Sequence, residues 1–524
     1  MKVISAEEAA ALIQSGSTLA LSGSGACNLI AEKVLKAIET RFIEKGRPRE
    51  LTIFHPQGMG DQKDGGVGRF AHDGMTKRVI GGHWGMSLKM GRFAIDEKTQ
   101  AYNFPQGVMA QMMRAMAAKT PGVITKIGLG TYIDPRQEGG KMNEKARESD
   151  DLVEVVHFDG EEWLRYKPVL IDVAILRGTS ADEDGYISCE EEVHFDELAA
   201  MAGAAKNNGG IVIVQVKYLA KGGSLDVHSV KIPGYLVDYV VVDKDQRQTW
   251  ADSYEPYYCG RSQTPVTLQW PDDGINERKV IARRQAMALH PGEIVNIGTG
   301  VSTGVPTVLD EEGAGDLVTF SLEQGQSGGL PVTGLDAGTM VNPRCILDQP
   351  AQHDLYHGGV LGAACLSAAE VDFNGNVNVS RLNGRMTGCG GFIDISQETP
   401  VIVFGGTLCT KSKVVYKDGK AAVVNHGARH KFVNKVGQIT FSGDYARKRG
   451  KKVIFVTDRC VFELTKEGIM LTEIAPGLDI ENDIINDMDY RPLIASNVKI
   501  MPDYLFQDKP FGLRDLWNEE DNNC

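Results

Sequence analysis

The sequence predicts an α/β fold built as two related α/β domains, with mainly parallel sheets covered by helices. Two observations carry this prediction: a helix–turn–strand–glycine-loop unit occurs twice, and both halves contain short continuous apolar runs. The runs read GGIVIVQVKY and YVVVD in the first half, and PVIVFGG and KKVIFVTD in the second. Runs of this length are typical of strands buried on both faces of a sheet. Glycine, at 60 of 524 residues, exceeds its usual share of roughly 7%, which suits many tight strand-to-helix turns.

The first copy of the repeated unit lies near the start of the chain, in SAEEAAALIQSGSTLALSGSG. Ser5 and Glu8 have the spacing of a capping box, which predicts the start of a helix, and Gly16 predicts its end. The residues Thr18–Leu21 then form a predicted strand ahead of a glycine-rich loop. The second copy, RKVIARRQAMALHPGEIVNIGTG, predicts a helix to His290, a Pro-Gly stop, a strand EIVNI and a loop GTG. Two copies about 275 residues apart indicate two related halves.

A change in composition between the two copies predicts a linker. The stretch SYEPYYCGRSQTPVTLQWPDDGINERK, residues 253–279, is rich in Pro, Gly, Tyr and polar residues. Such composition is typical of a connection without regular structure. The sequence therefore predicts an N-terminal domain over residues 1–252, a linker over 253–279 and a C-terminal domain over 280–524.

Charge and cysteine content exclude several classes of protein. The formal net charge of -13 argues against a nucleic-acid-binding protein, which usually carries a basic surface. The N-terminus lacks the apolar core of a signal peptide, and no apolar run approaches a membrane span. The nine cysteines are scattered, odd in number and never spaced CxxC, which argues against a disulfide framework or a metal site. We expect a cytoplasmic protein with no membrane or nucleic-acid partner.

The glycine motifs exclude one type of nucleotide-binding loop, and two of them are compatible with a serine hydrolase. No GxxxxGK[ST] occurs, so the phosphate loop of nucleotide hydrolases is absent. Gly298 and Gly300 form GxG after a predicted strand, but Thr303 stands where the dinucleotide fingerprint has its third glycine. The pattern GxSxG occurs around Ser302 and around Ser327, and either serine is a candidate nucleophile of an esterase.

A carboxylate among glycines gives the second candidate nucleophile. Glu323 lies in SLEQGQSGGLPVTG, residues 321–334, directly after the strand-like run DLVTF. Glutamate can form a covalent acyl intermediate when a substrate is held against it. Backbone N–H groups of glycine-lined loops can stabilise the oxyanion that such an attack creates. From these residues alone, a surface glutamate in a polar turn remains an equal alternative.

Several stretches follow one another in an order that identifies a family. They are PQG at residues 105–107, GLGTYIDPRQEGGKMNE from residue 128, IPGYLVDYVVVD from 232, NIGTGV from 296, EQGQSGGLP from 323, GRMTGCGGFIDIS from 384 and LTEIAPGLDIENDI from 471. In this order they resemble the family I CoA-transferases, of the single-chain short-chain acyl type related to succinyl-CoA:3-ketoacid CoA-transferase. The ExG motif followed by GxGG about 65 residues later is the most specific part of the match.

The resemblance implies an enzyme that moves CoA between acetate, propionate, butyrate or acetoacetate, with ping-pong kinetics through a glutamyl-CoA thioester. It places the protein in the metabolism of acyl-CoA, short-chain fatty acids and ketone bodies. It implies no cofactor or metal beyond CoA as a substrate, and a homodimer or homotetramer. An acyl-CoA hydrolase that uses the same glutamate, and a non-catalytic CoA-binding protein, are the remaining alternatives.

The resemblance also assigns site residues, mostly on the second domain and at the boundary between the two. Glu323 is the implied nucleophile, and Gln106 faces the reacting carbonyl. The implied CoA-binding residues are Gly298, Thr299, Gly300, Val301, Ser302 and Gly325. Backbone N–H groups of Gly391 and Phe392 are implied to line the oxyanion site.

The first glycine loop, SGSGACNLIAE, departs from the family pattern because it lacks the Phe and the Pro of that pattern. Asn28 is expected to fill the role of the family's loop asparagine, as a residue of the oxyanion and substrate site. The segment GGHWG, residues 81–85, either borders the acid pocket or places Trp84 in the core.

Overall fold

The computed structural model describes residues 1–270 and 274–521. Residues 271–273 of the predicted linker, and 522–524 at the end of the predicted second domain, lie outside the described residues. Packing divides the chain into two compact units. The first comprises Met1–Thr264, Leu322–Leu355 and Asn383–Asp394, and the second comprises the rest of the described chain.

The first unit is built on an eight-stranded sheet in which every neighbouring pair of strands is parallel. The central strand Val173–Arg177 is buried along its whole length, as expected for a sheet covered on both faces. In spatial order the strands are Lys2–Ile4, Tyr239–Val242, Ile211–Val216, Val173–Arg177, Thr18–Leu21, Leu51–His55, Thr76–Gly81 and Gln100–Asn103.

Helices of the first unit cover this sheet. The first helix begins as predicted, because the Ser5 side chain accepts the N–H of Glu8 at 3.1 Å and the Glu8 carboxylate accepts the N–H of Ser5 at 2.8 Å. The helix Gln106–Ala117 is buried over its first eight residues and packs against Leu198–Asn207. The helices are Ala6–Leu12, Glu32–Lys45, Leu88–Ile95, Gln106–Ala117, Glu144–Arg147 and Leu198–Asn207.

Smaller sheets complete the first unit. A four-stranded sheet is formed by Tyr218–Ala220, Ser180–Asp182, Ile187–Ser188 and Val230–Ile232, and a three-stranded antiparallel sheet by Val123–Thr125, Glu161–Tyr166 and Val153–Phe158. The segment after Glu323 forms two antiparallel pairs, Gln326–Ser327 with Cys345–Ile346 and Leu330–Pro331 with Met340–Val341. The short 3₁₀ helices of this unit are Gly66–Phe70, Gly234–Leu236 and Gly334–Asp336.

The second unit has its own eight-stranded sheet, parallel over its first five strands. The sixth strand is antiparallel to the fifth, the seventh is antiparallel to the sixth, and the eighth is parallel to the seventh. In spatial order the strands are Thr319–Phe320, Ile294–Ile297, Ala363–Ser367, Val401–Gly405, Lys452–Val456, Cys460–Leu464, Ile469–Ile474 and Leu493–Ile500.

Helices and short pairs of strands complete the second unit. Its α-helices are Glu277–Ala286, Val305–Glu311, Gly443–Lys448, Ile480–Asp483 and Leu513–Asp521, and its 3₁₀ helices are Val301–Gly304, Gly315–Leu317, Ile485–Asp487 and Asp503–Phe506. Antiparallel pairs join Glu370–Val371 with Val377–Asn378, Cys409–Thr410 with Arg429–His430, and Lys413–Lys417 with Lys420–Asn425. The helices Gln349–His357 and Phe392–Glu398 begin in the first unit and end in the second.

The predicted fold class is confirmed, since each unit is an α/β structure on a largely parallel sheet. The repeated unit appears as helix Ala6–Leu12 before strand Thr18–Leu21, and as helix Glu277–Ala286 before strand Ile294–Ile297. None of the helices in the described ranges is long and apolar enough to cross a bilayer.

The compact units divide the chain differently from the predicted boundaries at 252 and 280. Residues 322–355 and 383–394 belong to the first unit, which therefore contains Glu323. Buried hydrogen bonds explain this membership: Gln326 Nε2 donates to the Val193 carbonyl at 3.0 Å, and Asn28 Nδ2 donates to Thr339 Oγ1 at 3.0 Å.

Candidate active site

Glu323 lies half-buried in a tight turn of the first unit. The N–H of Leu322 donates to the Gln326 carbonyl at 2.9 Å, and the N–H of Gly325 donates to the Leu322 carbonyl at 3.1 Å. Gly325 has φ +111°, and a Cβ there would lie 2.2 Å from the Leu347 carbonyl oxygen. Only glycine fits such a position, so the glycine of ExG is required by the backbone of the turn.

Gly391 packs directly against the side chain of Glu323. A Cβ placed on Gly391 would lie 3.2 Å from Glu323 Cγ and 3.5 Å from its Cδ. Among the described residues, the N–H of Gly391 has no hydrogen-bond acceptor, whereas the N–H of Phe392 donates to the Cys389 carbonyl at 3.0 Å. Of the two predicted donors, Gly391 thus has its N–H available to a ligand, and that of Phe392 is engaged.

Gln106 is held beside the same glycine loop. It begins the helix Gln106–Ala117, and its N–H donates to the Gly390 carbonyl at 2.9 Å. The side chain is 3% exposed, and its Nε2 has no hydrogen-bond partner among the described residues. A buried unpaired amide costs about 1–3 kcal/mol, a cost that a ligand carbonyl accepting from Nε2 can remove.

Asp394 holds the start of this helix, a role that the sequence analysis did not assign. Its buried carboxylate accepts the N–H of Gly107 at 3.0 Å and that of Val108 at 3.3 Å. A carboxylate at a helix N-terminus satisfies free N–H groups and interacts favourably with the helix dipole. The only sequence signal is an acidic residue shortly after GCGG.

Asn103 joins two further glycine loops at the carboxyl end of its strand. Its Nδ2 donates to the carbonyls of Gly81 at 2.5 Å and Gly82 at 2.6 Å, and its Oδ1 accepts the N–H of Cys389 at 2.9 Å. Together with Asp394, this side chain fixes the loops 81–85, 105–107 and 388–391 relative to one another within the first unit. No motif in the sequence marks Asn103 as a site residue.

The segment GGHWG contributes one core residue and one half-buried histidine. Trp84 is 1% exposed, which confirms its interpretation as a core residue. Burial, together with the neighbouring His55, lowers the pKa of His83 to about 4. The His83 imidazole is therefore neutral near pH 7.

Asn28 lies in the first glycine loop and is fully buried. Its Nδ2 lies within hydrogen-bond distance of Thr339 Oγ1, at 3.0 Å, and of the Ala337 carbonyl, at 3.5 Å. Its Oδ1 has no partner among the described residues. The structure thus brings Asn28 against the segment that follows the Glu323 turn.

A buried group of Ser24, His194 and Asp196 anchors this first loop. Ser24 Oγ lies 2.8 Å from His194 Nε2, and His194 Nδ1 lies 2.8 Å from Asp196 Oδ1. The other Asp196 oxygen accepts the N–H of Gly23 at 2.8 Å. These distances resemble those of a serine triad, but all three side chains are at most 5% exposed. The group therefore braces the loop and offers no accessible nucleophile.

The predicted CoA-binding loop Gly298 to Ser302 lies in the second unit. It follows the strand Ile294–Ile297, at the carboxyl end of a largely parallel sheet, where α/β proteins commonly bind ligands. Thr299 and Gly300 are exposed, and Val301 begins a 3₁₀ helix. The guanidinium of Arg278 lies over the loop, with Nη2 3.4 Å from the Gly300 carbonyl oxygen.

The two serines of the GxSxG patterns lack the surroundings of a nucleophile. Ser302 is fully buried and accepts a hydrogen bond from Gln285 Nε2 at 3.0 Å. Ser327 lies in a strand paired with Cys345. Within residues 1–270 and 274–521, neither serine has a hydrogen bond to a histidine, so the base that an esterase needs is missing at both positions.

One group in the second unit has side chains that can ligate a metal. Cys409, His430 and Asp487 each offer a ligand atom within 4.8 Å of the others. Asp487 Oδ2 already lies 2.6 Å from the buried Arg459 Nη1. Burial, followed by the Asp487 charge, raises the pKa of the Cys409 thiol to about 12. In this structure the Asp487 carboxylate is engaged by Arg459, and His430 Nδ1 lies 2.7 Å from Asp489 Oδ1.

In the first unit, Glu323 thus packs against Gly391, whose N–H, like Gln106 Nε2, has no hydrogen-bond partner among the described residues. Such an arrangement suits an enzyme that transfers acyl groups through an acylated carboxylate.

Comparison with known proteins agrees with this class of enzyme: the family model for coenzyme A transferase matches residues 3–243. The acetate CoA-transferase YdiF of Escherichia coli K12 is 42% identical over 514 residues, covering 97% of this chain and 96% of the relative. The caffeate CoA-transferase of Acetobacterium woodii is 43% identical over 520 residues, covering 98% of each chain.

The chain belongs to the coenzyme A transferase family, and it is a CoA-transferase. A crystal structure of the acyl-CoA transferase YdiF from E. coli O157:H7, in a thioester complex with CoA, matches with a TM-score of 0.91 and 41% identity, covering 98% of this chain and 97% of that one. A mouse mitochondrial succinyl-CoA:3-ketoacid coenzyme A transferase 2B is more distant, at 24% identity over 425 residues. The family identified from the sequence motifs is therefore confirmed.

Proposed function

We propose that this enzyme moves CoA between short-chain carboxylic acids such as acetate, propionate, butyrate and acetoacetate, through a glutamyl-CoA thioester on Glu323. The observation that carries the proposal is the packing of Glu323 Cγ against Gly391, whose N–H has no acceptor among the described residues. A nucleophile and an oxyanion donor in contact are what acyl transfer requires.

In the first step, the Glu323 carboxylate attacks the thioester carbonyl of the donor acyl-CoA. A C–O bond forms, the C–S bond breaks, and the products are an acyl-glutamyl anhydride and CoA thiolate. The tetrahedral intermediate carries its negative charge on the former carbonyl oxygen, where the N–H of Gly391 and the Nε2 of Gln106 stabilise it. Each such donor contributes about 10²–10³ in kcat in comparable oxyanion sites.

In the second step, the CoA thiolate attacks the glutamyl carbonyl of the anhydride. A C–S bond forms, the first acid leaves as its carboxylate, and a glutamyl-CoA thioester remains. The acceptor carboxylate then repeats both steps in reverse, leaves as its CoA ester and regenerates Glu323. Carboxylates enter and leave ionised, so the cycle needs no proton transfer and no cofactor other than CoA. The half-buried position of Glu323 limits access of water to the thioester.

The relatives support this chemistry but differ in their acids. One relative is named for acetate and the other for caffeate, at nearly equal identity. The crystal structure of YdiF is described as a thioester complex with CoA. The choice of short-chain acids for this chain therefore remains part of the proposal.

We assign CoA binding to the loop Gly298 to Ser302 of the second unit. Its exposed backbone at Thr299 and Gly300 can approach the pantetheine or phosphate groups. Arg278 offers a positive charge beside the loop for a phosphate. Replacing Arg278 with Gln should raise the KM for acyl-CoA and leave the KM for the acceptor acid unchanged.

We further propose a cytoplasmic homodimer or homotetramer. The cysteines in the described ranges form no disulfides, which suits a reducing compartment. Exposed large apolar side chains lie in and beside the four-stranded sheet of the first unit: Tyr186, Tyr218, Leu219, Val227 and Tyr235. A surface of this kind is typical of an interface between subunits. Light scattering should give the mass of two or four chains, and Tyr235→Asp should lower that mass.

Steady-state exchange tests the proposed reaction. With propionyl-CoA as donor and acetate as acceptor, double-reciprocal plots should be parallel, as ping-pong kinetics require. Glu323→Ala should abolish exchange and retain CoA binding, whereas Glu7→Ala, at an exposed glutamate of the first helix, should match the wild type. Appreciable exchange by Glu323→Ala would rule out this glutamate as the nucleophile.

A further inference from the structure

Backbone hydrogen bonds place residue 83 beside the glycine loop that touches Glu323. The N–H of Gly390 donates to the Gly82 carbonyl at 2.8 Å, and the N–H of Trp84 donates to the Thr387 carbonyl at 2.7 Å. The next residue of that loop, Gly391, is the one in contact with Glu323. His83 and Glu323 therefore lie against adjacent residues of one glycine loop, Gly390 and Gly391 respectively.

Three glycines fix the position of the His83 ring. A Cβ on Gly58 would lie 2.5 Å from Nδ1, one on Gly85 would lie 2.8 Å from Cε1, and one on Gly390 would lie 3.4 Å from Cδ2. The first two distances are shorter than any real carbon contact, so these positions accept no larger residue while the ring is in place. The ring thus has a defined place against the loop 388–391.

The His83 ring nitrogens make no hydrogen bond to the described residues. The side chain is half-buried, and among the described residues it has no hydrogen-bond partner. Because its pKa lies near 4, the ring is neutral at pH 7 and offers one donor and one acceptor.

The three loops held together by Asn103 and Asp394 carry no fixed charge. Residues 81–85, 105–107 and 388–391 read GGHWG, PQG and GCGG, without Lys, Arg, Asp or Glu. Their ionisable side chains are His83 and Cys389, and burial raises the pKa of the Cys389 thiol well above its ordinary value. These three loops therefore provide no positively charged partner for a second carboxylate on the substrate.

We propose that His83 lines the acyl-binding space beside Glu323 and determines which acids the enzyme accepts. Its ring limits the length of the acyl chain, and its ring N–H donates to a polar uncharged substituent such as a 3-oxo group. Dicarboxylic acids are disfavoured because these loops offer no cation to pair with their second carboxylate. This inference rests on the proposed function and adds to it the residue that selects the substrate.

Two variants at this position test the roles of His83 in chain length and in binding a polar substituent, and a low kcat/KM for succinate in the wild type tests the rejection of dicarboxylic acids. With propionyl-CoA as donor, kcat/KM is measured for acetate, butyrate, hexanoate, acetoacetate and succinate. His83→Ala should raise the hexanoate-to-acetate ratio at least about tenfold, the discrimination expected for added methylenes in an apolar pocket. His83→Phe keeps a ring without nitrogens, and should lower the acetoacetate-to-butyrate ratio while hexanoate stays a poor acceptor. His157→Ala, at an exposed histidine of the first unit, should leave every ratio unchanged.

The mass of the protein after incubation with propionyl-CoA distinguishes a failure of the His83 inference from a failure of the proposed function. If the wild type and both variants acquire CoA on Glu323 but all ratios stay within twofold, the role of His83 is wrong and the proposed function stands. If the wild type acquires no CoA, the proposed function fails and the His83 inference fails with it. If His83→Ala does not fold, the acetoacetate-to-butyrate ratio of His83→Phe decides alone, and an unchanged ratio overturns the inference.

Discussion

Substituting Gly391 by Ala tests whether the contact with Glu323 is part of the reaction centre. The added methyl would lie 3.2 Å from Glu323 Cγ, 3.4 Å from its Cβ and 3.5 Å from its Cδ. Carbon atoms at rest are about 3.5–4.0 Å apart, so the glutamate side chain must move by a few tenths of an ångström. Gly391 has no positive φ, so alanine causes no backbone strain, and the perturbation acts mainly through Glu323.

The expected consequence is a loss of kcat without a comparable loss of stability. Small displacements of a reacting group are costly, and a misplacement of about 1 Å can cost about 10²-fold in rate. A shift of a few tenths of an ångström, with partial blocking of the oxyanion position, should lower kcat by about 10- to 100-fold. The free energy of unfolding should change by less than about 1 kcal/mol, since the clash is relieved by a flexible side chain.

Exchange between propionyl-CoA and acetate gives kcat, and a thermal melt gives the change in stability. Gly315→Ala is the matched control, because a Cβ there would meet only atoms at 4.0 Å and its φ is also ordinary. Full activity in a folded Gly391→Ala variant would show that the reaction does not take place at the Glu323–Gly391 contact.

Three further predictions follow from the structure. Gln106→Leu should lower kcat by about 10²-fold through loss of an oxyanion donor. It should not lower the thermal stability, because the buried Nε2 has no hydrogen-bond partner among the described residues. A lower melting temperature with unchanged kcat would contradict the assignment of Gln106 as an oxyanion donor. Asp394→Ala should cost about 0.5–2 kcal/mol of stability by uncapping the helix Gln106–Ala117, and it should also lower kcat. A stable and fully active variant would show that Asp394 is not needed to hold the site. His55 is fully buried, and burial lowers its pKa to about 4. Between about pH 6.5 and 4 the unfolded chain therefore binds a proton at His55 that the folded chain does not bind. The free energy of unfolding should fall by up to about 3 kcal/mol as the pH falls through this window. Melting curves of His55→Gln should show a shallower acid loss than the wild type, and parallel curves would exclude His55 as its source.

The elements that the sequence predicted best are those set by neighbouring residues. Ser5 and Glu8 cap the first helix reciprocally, and the strand Thr18–Leu21 has the predicted bounds. The predicted helix to His290 is shorter in the structure and ends at Ala286, because the next residues form a turn.

The site was predicted as motifs, but its assembly was not. Gly107 and Asp394 are 287 residues apart, and Asn103 and Cys389 are 286 apart, yet both pairs are hydrogen-bonded in one unit. No local pattern reports such contacts, since they depend on how strands and loops pack. The same reason explains why a boundary drawn from linker composition did not place Glu323 with the N-terminal residues.

The central claim is that Glu323 becomes covalently attached to CoA. Incubation with acetyl-CoA in the absence of an acceptor, followed by intact mass and peptide mapping, tests it most directly. We predict a mass increase of one CoA on the peptide that contains Glu323, lost on addition of acetate with formation of acetyl-CoA. An adduct on Ser24, Ser302 or Ser327, or steady hydrolysis of acetyl-CoA without any adduct, would contradict the account.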